Sequence, residues 1–515
     1  MLGRRSGERT WTHAELVAAA QRGAAQLCAA LPSSTMPRIA VVLRRTHAAV
    51  ASLLSVWLAG GCVVLLAPPR PLEDMSAWRQ RTQHWLEQLG VHVTVEDRSL
   101  STLERLHRVT VDGVTDQRPV TGPLPTPTQE ALITQTSGST GEPRPVLRSH
   151  GALLAQARAH ARSKGGLEPG VDHRLGWGPL HRRALGGDLL YPLATGVDST
   201  LLPADAFAAE PLRWLRELSR RRATFSTAPT FAYQLVAQHL ERAGSLELDL
   251  HAWRTAHVTG ELADAATLER FTRAAAPYGF DPRAWCVTYG CTEIGNATCR
   301  PDEGGVRVDR VDLASLRSGR AVATEDARAL PVVSVGPPTP GNQLRIMNAA
   351  GTPLGERTIG RIQVRTDAAI DGYLDDQGPD RFQDGWFDTG DEGYLADGEL
   401  FVLGRADTTI IVRGTNLPAE AVERLAATVP GVAVGGCAAI GVARQGTQAL
   451  VLLVETNDPD PTLRDRIMAT VGAGTGHTPQ EVVLCDPGWL PRTDEGKLQR
   501  SRLVEDLLSD ASRSA

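Results

Sequence analysis

Between Ile133 and Val146 the sequence reads ITQTSGSTGEPRPV, a strand-like stretch that opens into a loop dense in glycine, serine and threonine. Glycine lets successive backbone N–H groups converge on one anion, and the hydroxyls of Thr136, Ser137, Ser139 and Thr140 add donors with little bulk. Gly138 and Gly141 supply the backbone freedom, so the expected chemistry is the holding of phosphate. The spacing matches neither the Walker loop, GxxxxGK[ST], nor the dinucleotide pattern, GxGxxG, and supports neither of those phosphate sites. Three further segments set ionisable or aromatic side chains among glycines: VTYGCTEIG from Val287 to Gly295, GWFDTGDEGYLADGELFVLGRADTTIIVRG from Gly385 to Gly414, and LPRTDEGKLQR from Leu490 to Arg500.

Taken in this order, the four segments resemble those of the superfamily that contains acyl-CoA synthetases, adenylation domains of peptide synthetases and luciferases. The loop is similar to that family's TSG[ST]TGxPKG, with Arg144 in place of the lysine and Pro145 in place of the glycine. The resemblance implies ATP and Mg²⁺ as cofactors. It assigns phosphate contacts to Thr136, Ser137, Gly138, Ser139, Thr140, Gly141 and Arg144, stacking near adenine to Tyr289, and the α-phosphate to Thr292. It gives Mg²⁺ to Glu293, a hard oxygen ligand suited to an ion that binds few carboxylates and keeps water and phosphate oxygens. Asp391 matches the carboxylate that grips the ribose hydroxyls, an acceptor-only group facing two donors, and Arg405 matches the arginine near ribose and phosphate. Asp407 falls at the hinge about which the small domain swings in this family, and Gly414 follows on a loop that can face a thiol acceptor. Lys497 matches the lysine that enters the active site during adenylation, where its charge offsets the negative charge developing between carboxylate and α-phosphate.

Within the superfamily, PLRWLRELSRRRATFSTAPTFAYQL at Pro211 to Leu235, the later LDLHAWRTAHVTGE, VSVGPPTPG with GNQLRI, and APPRP at Ala67 to Pro71 look like the fatty acyl-AMP ligase branch. That resemblance covers almost the whole chain. It implies activation of a carboxylic acid to acyl-AMP with release of pyrophosphate, then transfer to the phosphopantetheine thiol of an acyl or peptidyl carrier protein in polyketide or nonribosomal peptide assembly. It also puts Gly260 and Glu261 at the nucleotide, and His181, Arg182 and His257 at the substrate pocket. Where the branch shows PLYHDMGL this chain has GPLHRRALGG, keeping His181 but placing Arg182 and Arg183 in the positions of Asp and Met. Arginines there point toward a polar or anionic acid and away from a long alkyl tail. The alternatives are an acyl- or aryl-CoA ligase, which differs in its acceptor, a stand-alone amino-acid adenylation enzyme with Asp188 as the partner of an ammonium, and a nucleotide-binding regulator without turnover.

Elements must hold these segments in place, and 515 residues are enough for two to four structural units. Helical and apolar strand patterns alternate from Trp11 to Pro69, and again after residue 130, as parallel sheets covered by helices require. Strands rich in Val and Ile (QLRIM, GRIQVR, ELFVL) then recur at short spacing and predict a small β-rich subdomain. From about residue 405 the pattern is that of a small α+β unit. The expected fold is therefore a large α/β N-terminal domain over 1–404, two α/β layers plus the β-rich subdomain, and an α+β C-terminal domain over 405–515, which the resemblance implies is mobile. Asp112 to Gln129, rich in Pro, Thr and Gly, reads as a surface connection, and Val308 to Val333 as the place for any branch-specific insertion.

Composition excludes several classes. A net charge of -5 and the lack of any extended basic stripe argue against nucleic-acid binding. The uncharged run Ala48 to Ala67 is long enough for a membrane span, but Gly60 and Gly61 divide it into a helix-like and a β-branched half, so it reads as buried helix, turn and strand. Seven singly spaced cysteines and a start without an apolar stretch predict a cytoplasmic protein.

Overall fold

The computed structural model describes residues 10–31, 37–42, 46–69, 74–91, 93–95, 107–109, 124–136, 144–162, 167–181, 185–300, 305–326, 329–375, 381–412, 415–433, 435–444, 447–457, 460–492, 498–500 and 502–503. The apolar run at Ala48 folds as expected into the helix His47–Leu58 and the wholly buried strand Cys62–Leu66. Thr46 caps that helix, its hydroxyl accepting from the Ala49 N–H at 3.2 Å and satisfying one of the unpaired first-turn donors. Among the described residues no helix is long and apolar enough to cross a membrane.

Two α/β layers follow. In the first, Arg38–Val42 pairs in parallel with Cys62–Leu66 and Val93–Val95, and Cys62–Leu66 pairs in parallel with Glu130–Gln135. Pro145–Ser149 then joins Glu130–Gln135 antiparallel, so the chain turns back on itself around the glycine-rich loop. Pro145 opens that returning strand, a position where a missing N–H is tolerated. In the second layer His173–Gly176, Phe225–Ala228, Thr255–Val258 and Trp285–Cys291 run parallel, and Gly295–Cys299 returns antiparallel at the edge.

Aromatic rings fill the space beneath the second layer. Trp214 and Tyr233 are fully buried with centroids 5.2 Å apart, and Tyr233 meets Trp285 at 4.8 Å. Such edge-to-face pairs contribute about 1 kcal/mol each beyond the area they bury. The Trp214 indole N–H donates to Ser226 Oγ at 2.9 Å, and that hydroxyl donates on to the Leu175 carbonyl at 2.7 Å, so burial leaves neither polar group stranded.

The β-rich part is an antiparallel sheet of Gln343–Met347, Gly360–Arg365, Trp386–Ala396, Phe382–Gln383 and Glu399–Arg405. The segment Val308–Val333 forms an antiparallel pair, Val308–Val311 with Leu330–Val333, and the short helix Leu313–Arg317. Beyond it, Cys437–Arg444, Thr447–Glu455 and Glu481–Cys485 form a sheet covered by the helices Ala419–Ala427 and Leu463–Thr475, with an apolar core drawn from Ile410 to Val482. This is the expected class, a large α/β N-terminal domain followed by a C-terminal domain. The connection from Asp112 lies largely outside the described residues, which resume at Leu124.

Candidate functional site

A cavity of about 2060 Å³ opens where both α/β layers, the β-rich sheet and the C-terminal elements come together. Thr136, Arg144, His181, His257, Gly260, Glu261, Tyr289, Thr292, Glu293, Asp391 and Arg405 all line it. Asp407 does not line the cavity and instead accepts from Arg405 at 3.2 Å.

The tyrosine segment is an edge hairpin, Trp285–Cys291 against Gly295–Cys299, with a register shift between Tyr289 and Gly290. A Cβ on Gly290 would lie 1.9 Å from the Gly295 carbonyl oxygen, so only glycine lets the hairpin close there. The shift turns Tyr289 toward the β-rich sheet, where its hydroxyl donates to Asp391 Oδ2 at 2.5 Å. Arg405 lies 3.5 Å from the other oxygen of Asp391 and donates to the Thr389 carbonyl at 3.0 Å. Burial raises the Asp391 carboxyl to about 6, against the opposing pull of Arg405 and of the Tyr289 hydroxyl. Burial and the adjacent Asp391 push the Tyr289 phenol well above its ordinary range, which keeps it a donor.

Arg148, buried on the strand Pro145–Ser149, donates to the Thr292 carbonyl. Burial lowers its guanidinium, and the nearby Glu293, Cys291 and Asp371 oppose that drop. Glu293 Oε1 accepts from the Tyr373 hydroxyl at 3.2 Å. Across the Tyr373 ring, 3.6 Å from its centroid, lies the guanidinium of Arg144, which also pairs with Asp375 at 2.7 Å. Thr136 and Arg144 exchange two bonds, Thr136 N–H to the Arg144 carbonyl and Arg144 N–H to Thr136 Oγ1, both 2.9 Å, and so tie together the two ends of the phosphate-type loop. Ser137, Gly138, Ser139, Thr140 and Gly141 lie outside the described residues.

On the second layer His257 is buried and both ring nitrogens are engaged, Nδ1 with Thr227 Oγ1 at 3.1 Å and Nε2 with Thr288 Oγ1 at 2.9 Å. Glu261 Oε1 accepts from the Phe231 N–H at 2.6 Å, in the first turn of the helix Thr230–Arg242. Gly260 precedes it with a φ of 99°, in the left-handed region that favours glycine. Arg182, Arg183, Gly414 and Lys497 lie outside the described residues. The flanks of Lys497 are described: Arg492 and Leu498 form an antiparallel bridge, both line the cavity, and Arg500 pairs with Glu423 at 2.7 Å and Glu420 at 3.2 Å.

Asp188, weighed above as the partner of an ammonium, instead meets Arg174, with N–O distances of 3.2 and 2.9 Å between two buried side chains. Arg174, Arg148, Tyr373 and His160 were not singled out in the sequence. A signal for the first was present, an arginine inside the short apolar strand of HRLGW, where a buried parallel strand calls for apolar residues.

The sequence model of the AMP-binding enzyme matches residues 3–374, and the chain belongs to that family. A putative acyl-CoA synthetase of Caulobacter vibrioides is 32% identical over 393 residues, 74% of this chain and 68% of that protein. The long-chain-fatty-acid–AMP ligase FadD26 of Mycobacterium marinum is 29% identical over 422 residues, 75% of this chain and 71% of its own. A structure from work on fatty acyl-adenylate ligases of E. coli and L. pneumophila superposes with a TM-score of 0.88 at 29% identity, over 98% of this chain and 94% of that one. The protein is an acid-activating, AMP-forming ligase of the fatty acyl-AMP ligase kind.

Proposed function

We propose that this enzyme converts a carboxylic acid and ATP into acyl-AMP and pyrophosphate, then passes the acyl group to the phosphopantetheine thiol of a carrier protein in polyketide or nonribosomal peptide assembly. The observation that carries the reading is the single cavity shared by Tyr289, Asp391 and Arg405 on one side and Glu423, Arg492 and Arg500 on the other. Two bodies meeting over one cavity suit a reaction whose second half exposes the adenylate to a thiol.

In the first half, the loop from Thr136 to Arg144 and the hydroxyl of Thr292 hold the phosphates, Tyr289 packs on adenine, and Asp391 accepts from the ribose hydroxyls. Gly260 and Glu261 border the nucleotide, and His181, Arg182 and His257 border the acid. The carboxylate attacks the α-phosphorus itself, so no side-chain nucleophile is needed, and catalysis is in-line positioning with charge neutralisation by Lys497. Glu293 offers the hard oxygen that Mg²⁺ takes beside phosphate, and one carboxylate suffices for an ion that relies on phosphate and water for the rest. In the second half, residues 405–515 turn as a unit about Asp407 relative to 1–404, withdraw Lys497 and open the thiol path. No disulfide joins the cysteines among the described residues, which suits a cytoplasmic enzyme.

The test is product analysis by mass spectrometry with acid, ATP and Mg²⁺, offering either a phosphopantetheinylated carrier protein or coenzyme A. Acylated carrier should form at least about tenfold faster than acyl-CoA. Equal or faster acyl-CoA formation overturns the carrier assignment in favour of a CoA ligase, the reading that the Caulobacter relative's name favours.

A further inference from the structure

Arg174 is 1% exposed and lines the cavity from the second layer. Its Nε and Nη2 meet Asp188 Oδ1 at 3.2 and 2.9 Å, and Nη2 also donates to Thr227 Oγ1 at 2.8 Å. The remaining terminal nitrogen, Nη1, meets no acceptor among the described residues. The guanidinium lies 4.1 Å over the Phe225 ring, which fixes its plane. Space for the pair is made by two glycines: a Cβ on Gly176 would come 2.2 Å from Asp188 Cγ, and one on Gly187 would come 2.9 Å from Arg174 Nη2.

An ion pair buried this deeply is a poor source of stability, because desolvating both charges offsets most of their attraction. An unused, rigidly held N–H group buried directly behind the wall of a cavity is, by contrast, a means of discrimination. From Arg174 a chain of hydrogen bonds runs through Thr227 and His257 to Thr288, the residue before Tyr289. Arg174 is thereby tied to His257, the residue proposed above to border the acid. Asp188 balances the charge of Arg174, and burial with the nearby Arg174 holds His160 neutral, its value lowered to about 3.

We infer that Arg174, held by Asp188, reads an oxygen acceptor on the chain of the acid, so that the substrate is an oxo or hydroxy acid and not an unsubstituted fatty acid. The inference rests on the reading of the protein as an acid-activating ligase and deepens it. Because the pair is neutral as a whole, a neutral oxygen suits the wall better than a second carboxylate.

The test is a panel of acids matched in length, with unsubstituted, oxo, hydroxy and dicarboxylic members, scored by pyrophosphate exchange and by calorimetric titration in the presence of an ATP analogue. An oxo or hydroxy acid should exceed its unsubstituted counterpart by roughly 10- to 100-fold in both readouts, the range of one hydrogen bond to a charged group. The double variant Arg174→Met/Asp188→Leu, which removes both charges together, should lose that preference while still activating unsubstituted acids. An unsubstituted acid that matches or beats the oxo and hydroxy acids in the wild type overturns the inference, and so does a dicarboxylic acid that beats both, or a preference that survives in the double variant. If the double variant does not fold, the wild-type panel decides alone. Absence of exchange with every acid counts against the ligase reading, and the titration still tests this one.

Discussion

Tyr289 and Asp391, 102 residues apart, meet through one hydrogen bond of 2.5 Å that joins the second α/β layer to the β-rich sheet. The aromatic group assigned to adenine and the carboxylate assigned to ribose thus hold each other. The bond also favours the charged form of a carboxyl that burial pushes up to about 6.

If ionised Asp391 accepts from ribose, kcat/KM for ATP should rise with pH through about 6, where that carboxyl ionises. Tyr289→Phe removes a donor to the charged form and should move this limb up by about one pH unit. Pyrophosphate exchange at limiting ATP across pH 5 to 8 reads both effects, and an unmoved limb in the variant contradicts them.

The same carboxyl makes a prediction for stability. Its folded value of about 6 lies above an unfolded value of about 3.9, so between the two the folded state keeps a proton that the unfolded state has released. Stability is favoured below that window and lost as pH rises through about 6. Asp391→Asn cannot ionise, so it should be more stable than the parent at pH 7.5, by roughly 1–3 kcal/mol, with the gap closing toward pH 4. Thermal unfolding at the two pH values measures it, and a gap that does not change with pH refutes it.

Arg148 sits buried beneath Thr292 with Glu293 and Asp371 nearby. Arg148→Met leaves those acids without their counter-charge and Thr292 without its donor. Urea unfolding should show a loss of about 3–5 kcal/mol. If Thr292 positions the phosphate as proposed, activity at limiting ATP should fall at least about tenfold. A variant of parental stability and activity would show that Arg148 positions nothing.

Gly176→Ala forces a methyl into the carboxylate of Asp188, whereas Gly244→Ala meets nothing within 4 Å. The first should destabilise by more than about 2 kcal/mol and the second by less than about 0.5. Equal melting temperatures for the two variants would mean that the Arg174–Asp188 pair is free to move.

Much of this was legible in residue order because it depends on local pattern. The helix–turn–strand reading of Ala48 to Ala67 follows from two glycines and a change of period, and the two α/β layers and the β-rich sheet follow from repeated strand signals. The four glycine-bounded segments converge on one cavity through their described residues. What order does not reveal is pairing at long range. Nothing in TYGCTE signals that Tyr289 holds Asp391, nor in VLRS that Arg148 holds the Thr292 carbonyl, 144 residues away. Asp188 suited an ammonium as long as its neighbour was unknown, and Arg174, only 14 residues earlier, occupies it. That pairing depends on a strand and the wide helical turn Leu185–Leu190 packing side by side, with Gly176 and Gly187 making room.

Activation of an acid as its adenylate is reversible, so acid-dependent exchange of labelled pyrophosphate into ATP reports that step alone. Exchange should require both an acid and Mg²⁺ and should disappear in Lys497→Ala, while the same variant still passes a supplied acyl adenylate to a thiol. No exchange with linear, aryl, oxo, hydroxy, dicarboxylic or amino acids, or exchange at the parental rate in Lys497→Ala, would contradict it.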